Sequence, residues 1–497
     1  MEAVNVIKVA AVHGKVLDIL VVGKTTDVIY TQDIGEDFVS LLQSKQHIII
    51  TTQNCIWLLN ANKNFEVANL IKEPFIRYSL ISPNQEYLAY ITRGSYAKEC
   101  GIVIFSIKTM TPIKKFSSDC DKEYNEIVRW SKDSNFFAIL ERKTEISLYS
   151  VEKATSINFP CKNVILSYTI SSKYIIVLSK SSHELIVAIY SVQDPSTPKH
   201  ESSIKNAEEG QCIWDDIEKN LFIISDTIED KTGKSYYGKQ ALHIFSLGSK
   251  ITQLTCDSIT DQIHSIQWVP KTDRFIAIHG IQPALITLHD ITGKQIAALG
   301  KKYRNTIKFC PFGQFMFIGG FGSLAGELDF FNYQEPPLLI GSCEAHGSVQ
   351  WDWHSGGRHI LVAETYPRRM VDNQLKIIKY NGQLIATKKY DHLYGVMIIN
   401  NEKNECRPMT PIDTTKPKPV KERKIFAPKA QDEDLRGAMQ KFLDMETKKP
   451  EPKKESQFPP GFSPIKHTPN PDSKPKKEKK AKKDKKANKK KEKKKGE

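Results

Sequence analysis

Short apolar runs separated by polar turns recur along the chain. Seven segments share one plan, in which a bulky anchor residue is followed by a polar turn and then, six or seven positions later, by an apolar run. The anchors lie 40 to 54 residues apart and are Ile81, Trp130, Ile170, Trp214, Trp268, Phe309 and Trp353. Such a period is typical of propeller blades, each about 40 to 45 residues long with four strands.

A second repeat runs in phase with the first. It is an alternating strand that ends in a large residue and then a small polar one. The large residues lie 41 to 55 positions apart and are Phe105, Tyr149, Tyr190, Phe245, His289, Phe331 and Tyr380. Runs of β-branched and aromatic residues favour strands, and the Ser, Asn, Gly and Pro clusters between them favour turns.

These repeats predict an all-β protein, a WD40-like β-propeller over residues 1–405. At roughly 45 residues per blade its length gives about nine blades, or seven or eight if the longer repeats hold insertions. One blade cannot cover both of its faces, so the blades stack around an axis. We expect the apolar strand at residues 4–12 to pair in the last blade and close the ring.

The positive charge of the chain lies at one end. Residues 416–497 hold 28 of the 72 Lys and Arg residues and 13 of the 57 Asp and Glu residues. Residues 1–415 therefore hold 44 basic and 44 acidic residues. The predicted propeller is therefore formally neutral, and the net charge of +15 belongs to the tail.

The tail has a composition that cannot form a core. Residues 416–497 contain eleven prolines and neither Trp nor Tyr, which predicts disorder. We divide this end of the chain into a linker at 406–430, an amphipathic helix at 431–447 and a disordered, lysine-rich segment at 448–497. The helix shows i, i+4, i+7, i+8 apolar spacing, which suits docking to a partner; these residues are Leu435, Met439, Phe442 and Leu443. The alternative is a nascent helix without a partner.

The lysine tract at the end of the tail is the strongest electrostatic feature. Its last 27 residues hold 15 lysines against five acids. Such a tract binds phosphate backbones, serves as a nuclear-import signal or merely solubilises the chain. RNA is the first choice, and the candidate contacts are Lys476, Lys477, Lys479, Lys480, Lys482 and Lys483.

Motifs for catalysis fail on their context. Gly233-Lys234-Ser235 resembles the end of a phosphate loop, but Ile228 stands where the pattern needs glycine. The glycines at 320–326 precede a strand, so a hairpin explains them better than a dinucleotide site. The histidines at 346, 354 and 359 lack metal-ligand spacing. We therefore predict no enzymatic activity, no cofactor and no metal.

The compartment follows from what the sequence lacks. The nine cysteines are scattered singly, which suits a reducing compartment better than a disulfide framework. No apolar run approaches the roughly 20 residues that span a bilayer, and the start of the chain has no signal-peptide pattern. We expect a protein of the cytosol or nucleus with no membrane partner.

Two loops of the body combine cations with aromatic rings. Residues 230–240 hold Lys231, Lys234, Tyr236, Tyr237 and Lys239. Residues 365–374 hold Arg368 and Arg369 beside Tyr366. This mixture suits RNA, because phosphates attract cations and bases stack on rings. The alternative is that both are ordinary solvated loops.

The sequence resembles the family of eukaryotic translation initiation factor 2A. The segments that carry the resemblance are DKTGKSYYGKQALHIF, FCPFGQFMFIGGFGSLAGELDFFN and WHSGGRHILVAETYPRRMVDNQLKIIKYNG, all between residues 230 and 382. The b subunit of initiation factor 3 has a similar propeller and is the nearest competitor.

The resemblance implies a nine-bladed propeller that binds the small ribosomal subunit, with GTP-independent delivery of initiator methionyl-tRNA and a link to mRNA. The lysine tract departs from the family pattern, which puts the tRNA and mRNA contacts in question. We expect a cytoplasmic, non-enzymatic initiation factor, with other initiation factors as candidate partners of the tail helix. The alternative is a protein-interaction scaffold in ribosome assembly or another nuclear complex, with the tail as an import signal.

Overall fold

The computed structural model describes residues 7–400, apart from residues 24, 95–96, 120–121, 183, 228–238 and 260. The described residues form nine four-stranded antiparallel sheets and one short helix, α1 (Tyr124–Ile127). The prediction of an all-β propeller with about nine blades is confirmed. The tail helix at 431–447 and the segments at 406–430 and 448–497 lie outside the described residues.

The first strand of each blade lies nearest the propeller axis. These nine strands are β36 (Leu393–Ile399), β4 (Phe38–Gln43), β8 (Ile76–Ile81), β12 (Val128–Trp130), β16 (Val164–Ile170), β20 (Glu209–Trp214), β24 (Ile263–Trp268), β28 (Thr306–Phe309) and β32 (Gln350–Trp353). All seven anchor residues predicted from the sequence are the last residues of such inner strands.

The second and third strands of each blade form its middle. The second strands are β1 (Ile7–His13), β5 (His47–Thr52), β9 (Tyr87–Thr92), β13 (Phe136–Arg142), β17 (Tyr174–Ser181), β21 (Asn220–Thr227), β25 (Arg274–His279), β29 (Phe315–Gly319) and β33 (His359–Glu364). The third strands are β2 (Val16–Val22), β6 (Cys55–Asn60), β10 (Cys100–Ser106), β14 (Glu145–Ser150), β18 (Glu184–Ser191), β22 (Lys239–Leu247), β26 (Ala284–Asp290), β30 (Glu327–Asn332) and β34 (Gln374–Lys379).

The fourth strand of each blade is the outer edge and is the most exposed. These strands are β3 (Thr26–Asp33), β7 (Glu66–Lys72), β11 (Thr111–Ser118), β15 (Thr155–Pro160), β19 (Pro198–Lys205), β23 (Ile251–Thr255), β27 (Gln295–Lys302), β31 (Leu338–Glu344) and β35 (Leu384–Lys389). We number the blades along the chain, so that blade 1 contains β36 and β1–β3, blade 2 contains β4–β7, and blade 9 contains β32–β35.

Blade 1 closes the ring by joining the two ends of the propeller. Strand β1 pairs on one side with β2 and on the other with β36, where Val9 faces Ile398 and Val12 faces Gly395. Residues 7–12 of the predicted closing strand therefore pair as expected. Closure of this kind leaves neither edge of β1 unpaired.

The hydrophobic core lies between blades. Each of nine apolar clusters joins residues of one blade to residues of the next. Between blades 8 and 9, for example, Phe317 and Phe330 pack with Val362 and Trp353, all nearly inaccessible to solvent. Burial between neighbours stabilises the ring as a whole, because no blade covers its own faces.

Candidate nucleic-acid interface

The strands that flank the two cationic segments predicted from the sequence meet those segments at the same end of the propeller. Residues 365–373 connect β33 to β34, and residues 228–238 connect β21 to β22. Each connection joins the second strand of a blade to the third. Because strands alternate in direction within an antiparallel blade, all such connections leave from one end of the ring. We call this end the loop face; it also carries the connections from each blade to the next.

The loop in blade 6 is described only at its margin. Lys239 is the first residue of β22 and is exposed. Lys231, Lys234, Tyr236 and Tyr237 lie outside the described residues, as do the six lysines of the tail and the four apolar residues of the tail helix. Their roles stay predictions.

We call the loop in blade 9, residues 365–373, the arginine loop. Its backbone is held at both ends by hydrogen bonds. Asn373 is completely buried; its Nδ2 donates to the carbonyl of Arg369 at 2.8 Å, and its Oδ1 accepts from the amide of Leu393 at 2.9 Å. The Tyr366 amide donates to the Leu393 carbonyl at 2.7 Å. Buried amide side chains that satisfy backbone groups fix a loop at low entropic cost.

Arg368 and Arg369 are exposed on the arginine loop. The Arg369 side chain is 45% exposed, and its Nε lies 4.0 Å from Oε2 of Glu364. That carboxylate is buried and shared, because Gln374 donates to its Oε1 at 2.6 Å and Lys376 lies 3.6 Å from the same oxygen. Glu364 therefore orients Arg369 without neutralising its charge.

The arginine loop also carries an aromatic ring and two exposed apolar side chains. Tyr366 meets His392 and Tyr394 edge to face, at centroid distances of 5.4 and 5.2 Å. Met370 and Val371, at the far side of the loop, are 73% and 66% exposed. The surface can therefore offer both charge and stacking area to a ligand.

The glycine-rich connection at 320–326 in blade 8 lies beside the arginine loop and is a loop between two strands, as predicted. Asn305 fixes it with two hydrogen bonds, from Nδ2 to the Phe321 carbonyl and from the Phe321 amide to Oδ1. Phe321 is buried and stacks on Trp351 at 4.2 Å. A Cβ on Gly326 would meet the Ala345 carbonyl oxygen at 2.4 Å, so only glycine permits this approach of the backbones.

The opposite end of the propeller opens into an axial cavity of about 1500 Å³. Its wall mixes aromatic and charged groups, including Trp351, Phe312, Lys45 and Lys271. The residues that line it belong mainly to inner strands and to the turns that follow them. Among them, Gln43 of blade 2 is hydrogen-bonded to the amide and carbonyl of Asn400, which follows the inner strand of blade 1, at 2.8 and 2.6 Å.

Of the histidines at 346, 354 and 359, His346 is exposed, with its Nε2 3.1 Å from Oε2 of Glu344, whereas His354 and His359 occupy structural positions. His354 is buried in the turn after β32 and accepts a hydrogen bond from the Gly356 amide at Nδ1. Burial, together with the neighbouring charges of His354, Lys379 and Arg358, lowers the pKa of His359 to about 4. In the described part of the chain, no group of three His, Cys, Asp or Glu residues is placed to hold a metal ion. Nor is any helix there long and apolar enough to cross a membrane.

Sequence reasoning missed two glycines beside the arginines. Gly322 lies against Arg368, and Gly347 lies against Arg369 and Glu364. The glycine rhythm at 320–326 was visible, but nothing local in the sequence pairs it with a loop 45 residues further on. The contact exists because blades 8 and 9 are neighbours in the ring.

Comparisons with known proteins point to one family. The family model described as eukaryotic translation initiation factor eIF2A matches residues 202–396. The chain is 28% identical to eukaryotic translation initiation factor 2A of Dictyostelium discoideum over 350 residues, which is 66% of this chain and 55% of that protein. It is 29% identical to the Saccharomyces cerevisiae protein of the same name over 195 residues, which is 38% of this chain and 30% of that protein.

A solved structure matches the fold. The crystal structure of a eukaryotic initiation factor superimposes with a TM-score of 0.67 at 17% identity, covering 79% of this chain and 98% of that one. At this identity the match supports the fold alone. The chain spans about half or less of the length of the two relatives.

Proposed function

Since the chain belongs to the eukaryotic translation initiation factor 2A family, we propose that it is a non-enzymatic initiation factor that docks on the RNA of the small ribosomal subunit. The observation that carries the proposal is the arginine loop. Arg368 and Arg369 are exposed on a rigid loop at one end of the propeller. Cations held in place can read the shape of a folded RNA.

The second part of the proposal gives the tail a role in RNA binding. The lysine tract would raise the encounter rate and the non-specific affinity for RNA, because its charge attracts phosphates over a Debye length. Specificity would then come from the loop face. We propose initiator methionyl-tRNA and mRNA as further ligands, delivered without GTP, other initiation factors as partners of the tail helix, and the cytoplasm as the site of action.

Co-sedimentation with purified small ribosomal subunits tests the docking proposal. The full chain is compared with the double charge reversal Arg368→Glu and Arg369→Glu. We expect at least a tenfold loss of affinity, since two phosphate contacts become repulsions. The matched control reverses Lys108 and Lys153, two exposed lysines in turns on the opposite end of the propeller.

Two results would count against the proposal. If the full chain does not sediment with small subunits even at low salt, the translation role fails. If the arginine variant and the control lose the same affinity, the effect is one of net charge and the arginine loop is not the contact.

A further inference from the structure

We infer that blades 8 and 9 form a preorganised two-arginine site for RNA phosphates, in which Gly322 and Gly347 are the positioning residues. The inference rests on the proposed function, because it gives the arginine loop an RNA ligand. It adds how the guanidinium groups are placed and which residues place them.

Gly322 makes room for Arg368 across the boundary between two blades. The glycine belongs to blade 8 and has a φ of +71°. A Cβ at this position would stand 2.9 Å from Nη2 of Arg368 and 3.7 Å from its Cζ. The guanidinium group of blade 9 therefore lies directly against the glycine backbone of blade 8.

Gly347 makes the equivalent space for Arg369. It lies in the connection from β31 to β32 and has a φ of +68°. A Cβ there would stand 2.8 Å from Nε of Arg369, 3.1 Å from its Cζ and 3.0 Å from Oε2 of Glu364. Both arginines are thus seated on glycines contributed by neighbouring segments.

In these positions against Gly322 and Gly347, the positive charges of the two arginines stay available to a ligand. No carboxylate among the described residues forms an ion pair with Arg368, and the one partner of Arg369, Glu364, is shared with Gln374 and Lys376. Asp372, in the same loop, forms no ion pair with either arginine within the described part of the chain. An anion arriving at the boundary would meet two guanidinium groups with little competition.

Phosphates of RNA fit this site better than carboxylates of a protein. Guanidinium groups bind phosphate oxygens through two parallel hydrogen bonds. Adjacent residues present two such groups, as a backbone with successive phosphates requires. Tyr366 of the same loop contacts His392, and these two rings offer a base a surface for stacking. Because the glycines already restrict the arginine side chains, these side chains lose less conformational entropy on binding RNA. Affinity should therefore rise without new contacts.

Glycine-to-alanine substitutions test the seats in the full chain. Gly322→Ala should displace the end of the Arg368 side chain, and Gly347→Ala should displace Arg369 together with the carboxylate of Glu364. The backbone should stay in place in both. The control is Gly35→Ala, because Gly35 also lies on the loop face, has a φ of +67° and has nothing within 4 Å of its Cβ position. All three carry the same backbone strain, and only two touch an arginine.

The probes are purified small ribosomal subunits and a single-stranded oligouridylate. We expect Gly322→Ala and Gly347→Ala to weaken binding of both at least fivefold, and Gly35→Ala to stay within twofold of the native chain. Melting temperatures of the three variants should agree. RNA should also protect Arg368 and Arg369 from phenylglyoxal in the native chain, which separates this site from the lysine tail.

The outcomes separate this inference from the proposed function. If charge reversal of both arginines has no effect, the proposed RNA contact is wrong. If charge reversal weakens binding but both alanine variants behave like Gly35→Ala, the arginines contact RNA, but Gly322 and Gly347 do not position them. Should Gly347→Ala fail to fold, Arg369→Lys supplies the test, since equal binding by lysine would contradict a guanidinium site. Tighter binding of a polyglutamate peptide than of RNA would replace the ligand class with an acidic protein.

Discussion

Loss of the buried guanidinium group in Arg304→Met should destabilise the propeller more than any exposed ion pair does. Arg304 lies in the connection between blades 7 and 8 and is 3% exposed. Its Nε and Nη2 donate to Oδ2 of Asp329, itself 3% exposed, at 3.1 and 2.8 Å. Burial alone would raise the pKa of the Asp329 carboxyl, but Arg304 and Lys302 outweigh it and hold the pKa below its usual value.

The size of the effect follows from what the substitution leaves behind. Removing one partner of a buried ion pair costs about 3–5 kcal/mol, because the other charge is stranded. Here Nζ of Lys302 remains 2.9 Å from Oδ2 of Asp329, and the Ser342 hydroxyl still donates to Oδ1 at 2.8 Å. We therefore expect a loss at the lower end, about 3 kcal/mol. At about 2.1 cal/mol/K of unfolding entropy per residue, a propeller of this length would lose about 4 °C in melting temperature.

The assay is urea and thermal unfolding of the native chain, Arg304→Met and the control Lys45→Met. Lys45 pairs with Glu86 at 2.8 Å, but the two side chains are 53% and 43% exposed, and such pairs contribute about 0.5 kcal/mol or less. The double variant Arg304→Met, Asp329→Asn should recover much of the loss. If Arg304→Met lies within about 1 kcal/mol of the control, the buried pair is not a stabilising element and the reasoning from desolvation is wrong.

The pH dependence of the stability that the Arg304–Asp329 pair contributes gives a second check on this reasoning. A carboxyl whose pKa is lowered on folding contributes stability above the unfolded pKa of 3.8, and that stability is lost as the pH falls. Arg304→Met removes the strongest of the charges that lower the pKa of Asp329, so that pKa should be higher in the variant than in the native chain. The stability difference between the native chain and the variant should therefore narrow as the pH falls toward 4 and below.

Three further results are expected. Val9→Asp should lower the melting temperature by several degrees more than Lys8→Asp, because Val9 is completely buried between β2 and β36 and a charge there opens the ring. Acid should destabilise the propeller between pH 6.5 and 4, because burial holds His359 neutral in the folded state while the unfolded chain takes up a proton below 6.5; His359→Phe should remove up to about 3 kcal/mol of that loss. Removing residues 448–497 should reduce the slope of log affinity for single-stranded RNA on log salt by about 0.7 for each lysine that meets a phosphate.

The repeat that predicts the fold could be found from the sequence because it is local. An anchor such as Trp214 ends an inner strand, the chain turns on Asp215, whose carboxylate accepts from the amides of Lys219 and Asn220, and an apolar strand begins. Strand, turn and strand lie within 19 residues in this blade, since β20 begins at Glu209 and β21 ends at Thr227, so each copy shows the whole pattern. Ring closure could be inferred as well, because an apolar strand at the start of the chain needs a partner to cover it.

The candidate site could be predicted only in part. Cations next to tyrosines identified the arginine loop, because residue type carries that information. How the arginines are held could not be predicted, since Asn373 reaches Leu393, and Gly322 and Gly347 come from outside the loop. Contacts between blades depend on which loops the ring brings together, and no spacing rule within one repeat specifies them.

The division of charge between propeller and tail makes the geometry of the arginine loop more important. A formally neutral body has no broad field to attract RNA, so any contribution that it makes to affinity must come from a few cations at fixed positions. A fixed pair of guanidinium groups discriminates between RNA shapes, because its spacing suits some phosphate arrangements and not others. In the proposed function, the tail supplies attraction without that discrimination. Loss of the arginines should therefore reduce preference for the small subunit over unstructured RNA, whereas loss of the tail should weaken binding to both by similar factors.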